Sequence, residues 1–149
     1  MSNWIELTPD DVRDNMNATE LTAYRTKLAG PGTPDPLPGI IAQVVYQIRG
    51  AVRSCGKNRL HETATLIPRS AEHHAVVLVL YRLANRFRLD VTEDRRAEWR
   101  EANRWLRDVA ACQYDIEPPT DEADAAGPVN GPNICRPNRT MSRRDQEGI

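Results

Sequence analysis

Residues 75–81 read AVVLVLY, apolar at every position. At 3.6 residues per turn, seven consecutive apolar side chains cover the whole circumference of a helix. Such a helix has no face for water, so it needs neighbours on every side and belongs at the centre of a bundle. Pro68 blocks an earlier start and Ser70 is the expected cap, which predicts a helix from about Ala71 to Phe87. The apolar run is far shorter than the ~20 residues that cross a bilayer, so no membrane partner is expected.

The neighbours are legible on either side of it. Ile41, Val44, Val45, Ile48, Val52 and Cys55 recur at three- and four-residue spacing, an amphipathic helix from about Ile40 that Gly56 should end. Upstream, LTPDDVRDNM carries a helix start: Thr8 caps, Pro9 suits the first position, and Asp10 and Asp11 favour the positive end of the dipole. A short helix should follow from about Ala18 and stop near Gly30. Four prolines in PGTPDPLPG, residues 31–39, make that stretch a loop. KNRLHETATLIPR has no helical period, and its TATLI is a short strand or an extended connector. Thr92, with Glu93 and Asp94 behind it, caps a last helix.

After Tyr114 the character changes. EPPTDEADAAGPVNGPNICRPNRTMSRRDQEGI has no aromatic residue and little aliphatic content, too little apolar surface to offset its own ordering entropy. Its charge is segregated: Asp121, Glu122 and Asp124 come first, and Arg136, Arg139, Arg143 and Arg144 follow. Ile134, Cys135 and Met141 are the only apolar anchors in the basic part. The predicted class is mainly α: a small bundle of about four or five helices over residues 1–116, with a long extended C-terminal arm over 117–149.

The formal net charge of −1 and the pI near 6.3 argue against a generally basic nucleic-acid binder. The cations are nevertheless unusual, eighteen arginines against two lysines. A GC-rich coding genome accounts for that bias, as does a demand for rigid forked donors at interfaces. Cys55, Cys112 and Cys135 are far apart, odd in number and form no C-x-x-C, so neither a disulfide framework nor a zinc knuckle is expected. Cys55 reads as a small core residue. The N-terminus has no basic and apolar leader pattern, which points to a reducing cytoplasm and makes the N-x-[ST] triplets at Asn17 and Asn138 coincidental.

WREANRWLRDVA, residues 99–110, carries the functional question. On a helix, Arg96, Arg100, Arg104 and Arg107 fall within an arc of roughly 80°. Trp99, Ala102, Trp105, Leu106, Val109 and Ala110 fall opposite, within roughly 140°. The tryptophans therefore join Ile41, Val45, Ile48, Val77, Leu80, Leu106 and Val109 as predicted core. A nucleic-acid grip needs aromatics and cations on one surface, and this helix separates them. Glu101 and Asp108 flank the arginines and can pair with Arg104, giving a solvated face. The other reading is a stripe that meets an acidic partner surface or a phosphate backbone. Arg82, Arg86 and Arg88 form a smaller analogue one helix earlier.

No motif predicts catalysis, and no cofactor or metal is expected. His73 and His74 are adjacent, so on a helix they point about 100° apart and cannot share a metal as an i,i+4 pair does. His61 lies in an irregular segment, where HETATL lacks the second histidine of a zinc-protease helix. The glycines near residue 30 lack the Lys-[ST] of a phosphate loop.

ELTPDDVRDNM, VVLVLYRLANRFRL and RRAEWREANRWLRDVAACQYDI together resemble the head–tail connector (adaptor) proteins of tailed bacteriophages. Those proteins share a TPDDL-R opening, a buried helix ending in an arginine- and tyrosine-rich turn, and an A-RWL-DVA-G closing helix followed by an extended segment. The likeness spans about residues 5–117. Cys112 stands near where that family usually has glycine, and the arm after Pro118 is longer than usual. The resemblance implies a homo-oligomeric ring, typically of twelve copies, seated on the portal protein and assembled in the host cytoplasm. Such a ring continues the DNA conduit, lies near the genome without reading its sequence, and offers a platform to the next neck or tail protein. C-terminal arms in such rings dock on the portal or on a neighbour. Partner contacts are thus expected from Arg96, Arg100, Arg104, Arg107, Ile134, Cys135, Arg136, Arg139, Met141, Arg143 and Arg144. The alternative class is a cytosolic helical regulator that binds DNA or protein through the same arginines.

Overall fold

The computed structural model describes residues 2–120; the arm residues Ile134, Cys135, Arg136, Arg139, Met141, Arg143 and Arg144 lie outside them. The fold is mainly α. Its elements run β1 (Trp4–Glu6), α1 (Pro9–Asp14), α2 (Ala18–Leu28), α3 (Leu37–Ser54), β2 (Leu66–Pro68), α4 (Glu72–Phe87) and α5 (Glu93–Ala110). A single 3-10 turn, Arg69–Ala71, leads into α4.

The helix starts follow local chemistry. Thr8 accepts from the Asp11 backbone N–H while the Asp11 carboxylate accepts from that of Thr8. Asn17 and Glu20 make the same reciprocal pair at α2, which gives Asn17 a capping role. The expected loop over residues 31–39 is shorter than that: α3 begins at Leu37, ahead of the periodic run, because Asp35 accepts from the Leu37 N–H at 2.9 Å. The other Asp35 oxygen accepts from the Tyr24 hydroxyl at 2.7 Å and lies 3.8 Å from Arg13. One carboxylate thus ties α1, α2 and α3 together.

α3, α4 and α5 pack against one another as the central bundle. Val76, Val77, Leu78, Val79 and Leu80 are all buried, as the all-round apolar run requires. Ile41, Val45, Ile48, Trp105, Leu106 and Val109 are buried with them. Trp99 is only partly buried: its ring stacks on Tyr81 at 4.7 Å and closes the bundle from outside.

Two short strands seal the end where α4 begins. β1 pairs antiparallel with β2 in the register Trp4↔Pro68, Ile5↔Ile67, Glu6↔Leu66, so the segment around TATLI does end in a strand. Its partner, β1, has too few residues for any periodic signal. Trp4 is 2% exposed; its indole Nε1 donates to the Glu117 carbonyl at 3.0 Å. The Arg49 guanidinium lies 5.7 Å from the Trp4 ring centroid and donates to the carbonyls of His61, Thr63 and Leu66.

Three local expectations are corrected. Ser70 is not the cap of α4; Ala71 holds that position with no side-chain bond. Ser70 instead donates from its N–H and Oγ, at 2.7 Å each, to the carboxylate of Glu117. A carboxylate from 47 residues away replaces the local cap. α3 ends at Ser54 through an extended Cys55, not through Gly56. Most important, Cys55 and Cys112 form a disulfide with Cα atoms 5.2 Å apart. Spacing along the chain could not reveal that the ends of α3 and α5 meet.

Candidate partner-binding face

α5 is built for two environments. Thr92 Oγ1 accepts from the Arg95 N–H at 3.3 Å to start it, and Ala102, Trp105, Leu106 and Val109 turn into the core. The arginines then divide by partner. Arg95, outside the predicted stripe, is the most engaged: its guanidinium holds both oxygens of Glu20, at 3.2 and 3.0 Å, and reaches Glu98 at 2.9 Å. It is a fastener between α5 and the cap of α2. Sequence spacing missed it because the pair spans 75 residues.

Arg96 and Arg100 both lean on Glu93, Arg96 at 3.6 Å and Arg100 through a direct hydrogen bond. Arg104 and Arg107 are exposed and make no ion pair among the described residues. The expected bonds from Arg104 to Glu101 and Asp108 are not made.

Between α3 and α5 runs an open groove of about 610 Å³. Gln47 and Ala51 form the α3 wall; Trp99, Asn103, Leu106 and Ala110 form the floor and the α5 wall. Arg100, Arg104 and Arg107 stand along the rim. The strict division of aromatics from cations is therefore corrected at one position. Trp99, displaced outward onto Tyr81, lines the same groove as the arginines. Helical angles alone put it inside; what they omit is that α4 already presents a tyrosine where the indole would go.

Arg82 reinforces the α3 wall, donating to Gln47 Oε1 at 2.6 Å. Arg88 is the left-handed cap residue of α4, with φ 54°. Neither extends the rim.

A second cavity of about 520 Å³ lies between β1 and α3, floored by Ile41, Val45 and Arg49 under Tyr46, which is 81% exposed. Burial pushes the Arg49 pKa below its ordinary value, and nearby Arg53 adds to the shift; its donors are committed to loop carbonyls. The histidines sit elsewhere. His61 Nδ1 accepts from the Thr63 N–H at 3.0 Å. His73 is exposed, and His74 stacks on Trp105 at 4.7 Å. Burial lowers the His74 pKa, His73 lowers it further, and Glu101 opposes them. Among the described residues no three His, Cys, Asp or Glu side chains gather around a site for one metal ion, and no helix is long and apolar enough to cross a membrane.

The profile of the family described as Bacteriophage Mu, Gp36 matches residues 7–131. The chain belongs to that family. Membership in the Mu Gp36 family places it among bacteriophage proteins. The Gp36 match takes in all five helices of the described fold and the Glu117 clasp. It then continues past Thr120 through Asp121, Glu122 and Asp124, stopping short of Arg136. No curated protein and no solved structure matches the chain.

Proposed function

We propose that this Gp36-family protein is a structural component of the virion, a head–tail connector that assembles as a ring on the portal and continues the DNA conduit towards the neck or tail. The mechanism is geometric. Each copy keeps its core closed with Trp4, Trp105 and the apolar α4 and turns the α3–α5 groove outward. The observation that carries the reading is this groove in a phage-family chain: an apolar floor bordered by arginines that the chain leaves exposed. The proposed partner contacts of the connector are Arg96, Arg100, Arg104 and Arg107, together with Ile134, Cys135, Met141 and the arginines 136, 139, 143 and 144 of the arm sequence. Individual surface ion pairs contribute little, on the order of 0–1 kcal/mol each. Repetition around a closed ring makes the sum large.

Size-exclusion chromatography with light scattering, on the chain alone and with the portal protein of the same phage, tests the proposal. A multi-copy species, or a monomer that forms a stoichiometric complex with the portal ring, is the expected result. A monomer that ignores the portal but shifts on short duplex DNA would instead mark a cytosolic regulator.

A further inference from the structure

We infer that the α3–α5 groove is the seat for residues 121–124 of a second copy of this chain, the acidic start of its C-terminal arm. The inference rests on the self-assembly proposed above and adds the contact that joins one copy to the next.

Charge and size both point to this occupant. The rim offers Arg104 and Arg107 without ion partners among the described residues, and Arg100 shared with Glu93. Beyond Thr120 the arm sequence runs Asp-Glu-Ala-Asp-Ala-Ala over residues 121–126, carboxylates interleaved with the smallest apolar side chain. A shallow floor walled by Ala51 and Ala110 takes alanines, while the carboxylates reach the guanidinium forks beside it. A nucleic-acid backbone would meet the arginines but leave the apolar floor over Trp99 and Leu106 unfilled.

Position decides that the segment comes from another copy. The described chain ends pinned beside the sheet: the Asn3 N–H donates to Thr120 Oγ1 at 3.4 Å, and Pro119 is buried. The sheet lies on the flank of α3 marked by Arg49, which binds the loop carbonyls and covers Trp4. The groove wall, Gln47 and Ala51, is two residues from Arg49 in either direction, hence about 160° round the helix. Half the circumference of a helix ~10–12 Å across exceeds the ~14 Å that four extended residues span. Residues 121–124 therefore start on the wrong flank of their own copy. On a neighbour they face no such limit, and each copy would present one groove and one acidic segment in the head-to-tail arrangement that closes a ring.

Charge reversal on the full-length protein tests this, read as self-association by sedimentation velocity across a concentration series. Arg104→Glu with Arg107→Glu should weaken self-association roughly tenfold, and so should Asp121→Lys with Glu122→Lys and Asp124→Lys. The chain carrying all five changes should recover most of the loss, which also controls for folding. Mixing the two partial variants should give more association than either alone. Rings that form undiminished in every variant overturn the inference and leave the connector proposal standing. A wild-type chain that stays monomeric at all concentrations overturns it too, and portal binding then judges the connector reading separately. Loss of association in both partial variants without recovery in the combined one also refutes the pairing.

Discussion

Breaking the Cys55–Cys112 bond gives the sharpest test of the bundle. The bond closes a loop with a sequence separation of 57 residues. Constraining a loop that long in the unfolded chain is worth about 4 kcal/mol. The same site carries an opposing cost. α5 ends in a tight turn in which the Gln113 N–H donates to the Asp108 carbonyl at 2.8 Å, and Cys112 takes the left-handed conformation, φ 59°. That position suits glycine; a side chain there costs about 1 kcal/mol. Two substitutions separate the terms. Cys112→Ser loses the staple and keeps the strain, so it should fall by about 4 kcal/mol, on the order of 10–15 °C in melting temperature for a domain of this size. Cys112→Gly loses the staple and relieves the strain, so it should retain about 1 kcal/mol more than Cys112→Ser. Circular dichroism melts with and without reductant supply the values, and maleimide labelling of the unfolded, unreduced chain counts thiols. One labelled cysteine, Cys135, is expected. Three labelled thiols, or melts unmoved by reductant, would refute the reasoning.

Other predictions test the fasteners. Arg95→Ala removes the bonds to both Glu20 oxygens and to Glu98 and should cost about 2 kcal/mol in urea unfolding, whereas Arg96→Ala, on an exposed pair, should cost under about 0.5 kcal/mol; equal costs would contradict the assigned roles. Because burial and His73 lower the His74 pKa, the unfolded chain takes up that proton at a higher pH than the folded one. The His74 contribution is therefore complete above about pH 6.5 and is lost as pH falls through the folded pKa. Unfolding titrations of the wild type against His74→Gln should diverge across that acidic window, and parallel curves would remove the argument. A chain ending at Thr120 should melt within about 2 °C of full length yet lose self-association, because its final residues already carry the bonds to Asn3, Trp4 and Ser70.

The helices were legible because their signals are local. Thr8, Thr92 and the prolines mark starts within one turn, and the apolar periods of α3 and α4 name their buried faces without reference to the rest of the chain. What escaped was every contact between distant segments. The Glu117–Ser70 clasp, the Arg95–Glu20 pair and the Cys55–Cys112 bond join residues 47, 75 and 57 positions apart. None leaves a pattern in a short window. Trp99 shows the same limit on a smaller scale: helical angles assign a direction, but Tyr81 on another helix decides how deep the ring goes. Cys112 stands near where the connector sequences it resembles usually have glycine, and its left-handed φ of 59° is a conformation that favours glycine. The cysteine that replaces it gains a bond across the bundle.

The clasp at Glu117 also bears on how, in the proposed assembly, an arm with so little apolar content would reach a definite place. A segment leaving a helix end directly would sweep a wide cone, and its binding would bear the full entropy of that freedom. Here the chain after α5 is first turned at the left-handed Cys112, then held at Ile116, Glu117, Pro119 and Thr120. The arm thus departs from a fixed point beside β1, on the flank of α3 away from the arginine groove. The carboxylates of the sequence begin at residue 121, directly after the held Thr120. Anchor, departure point and charge follow one another within five residues, so the Trp4 ring, by holding Glu117, helps to set where a neighbouring copy would be met. Replacing Trp4 with phenylalanine removes the Nε1 donor together with part of a buried ring that Arg49 covers, so it should lower the melting temperature and self-association together; an unmoved melting temperature would refute the clasp.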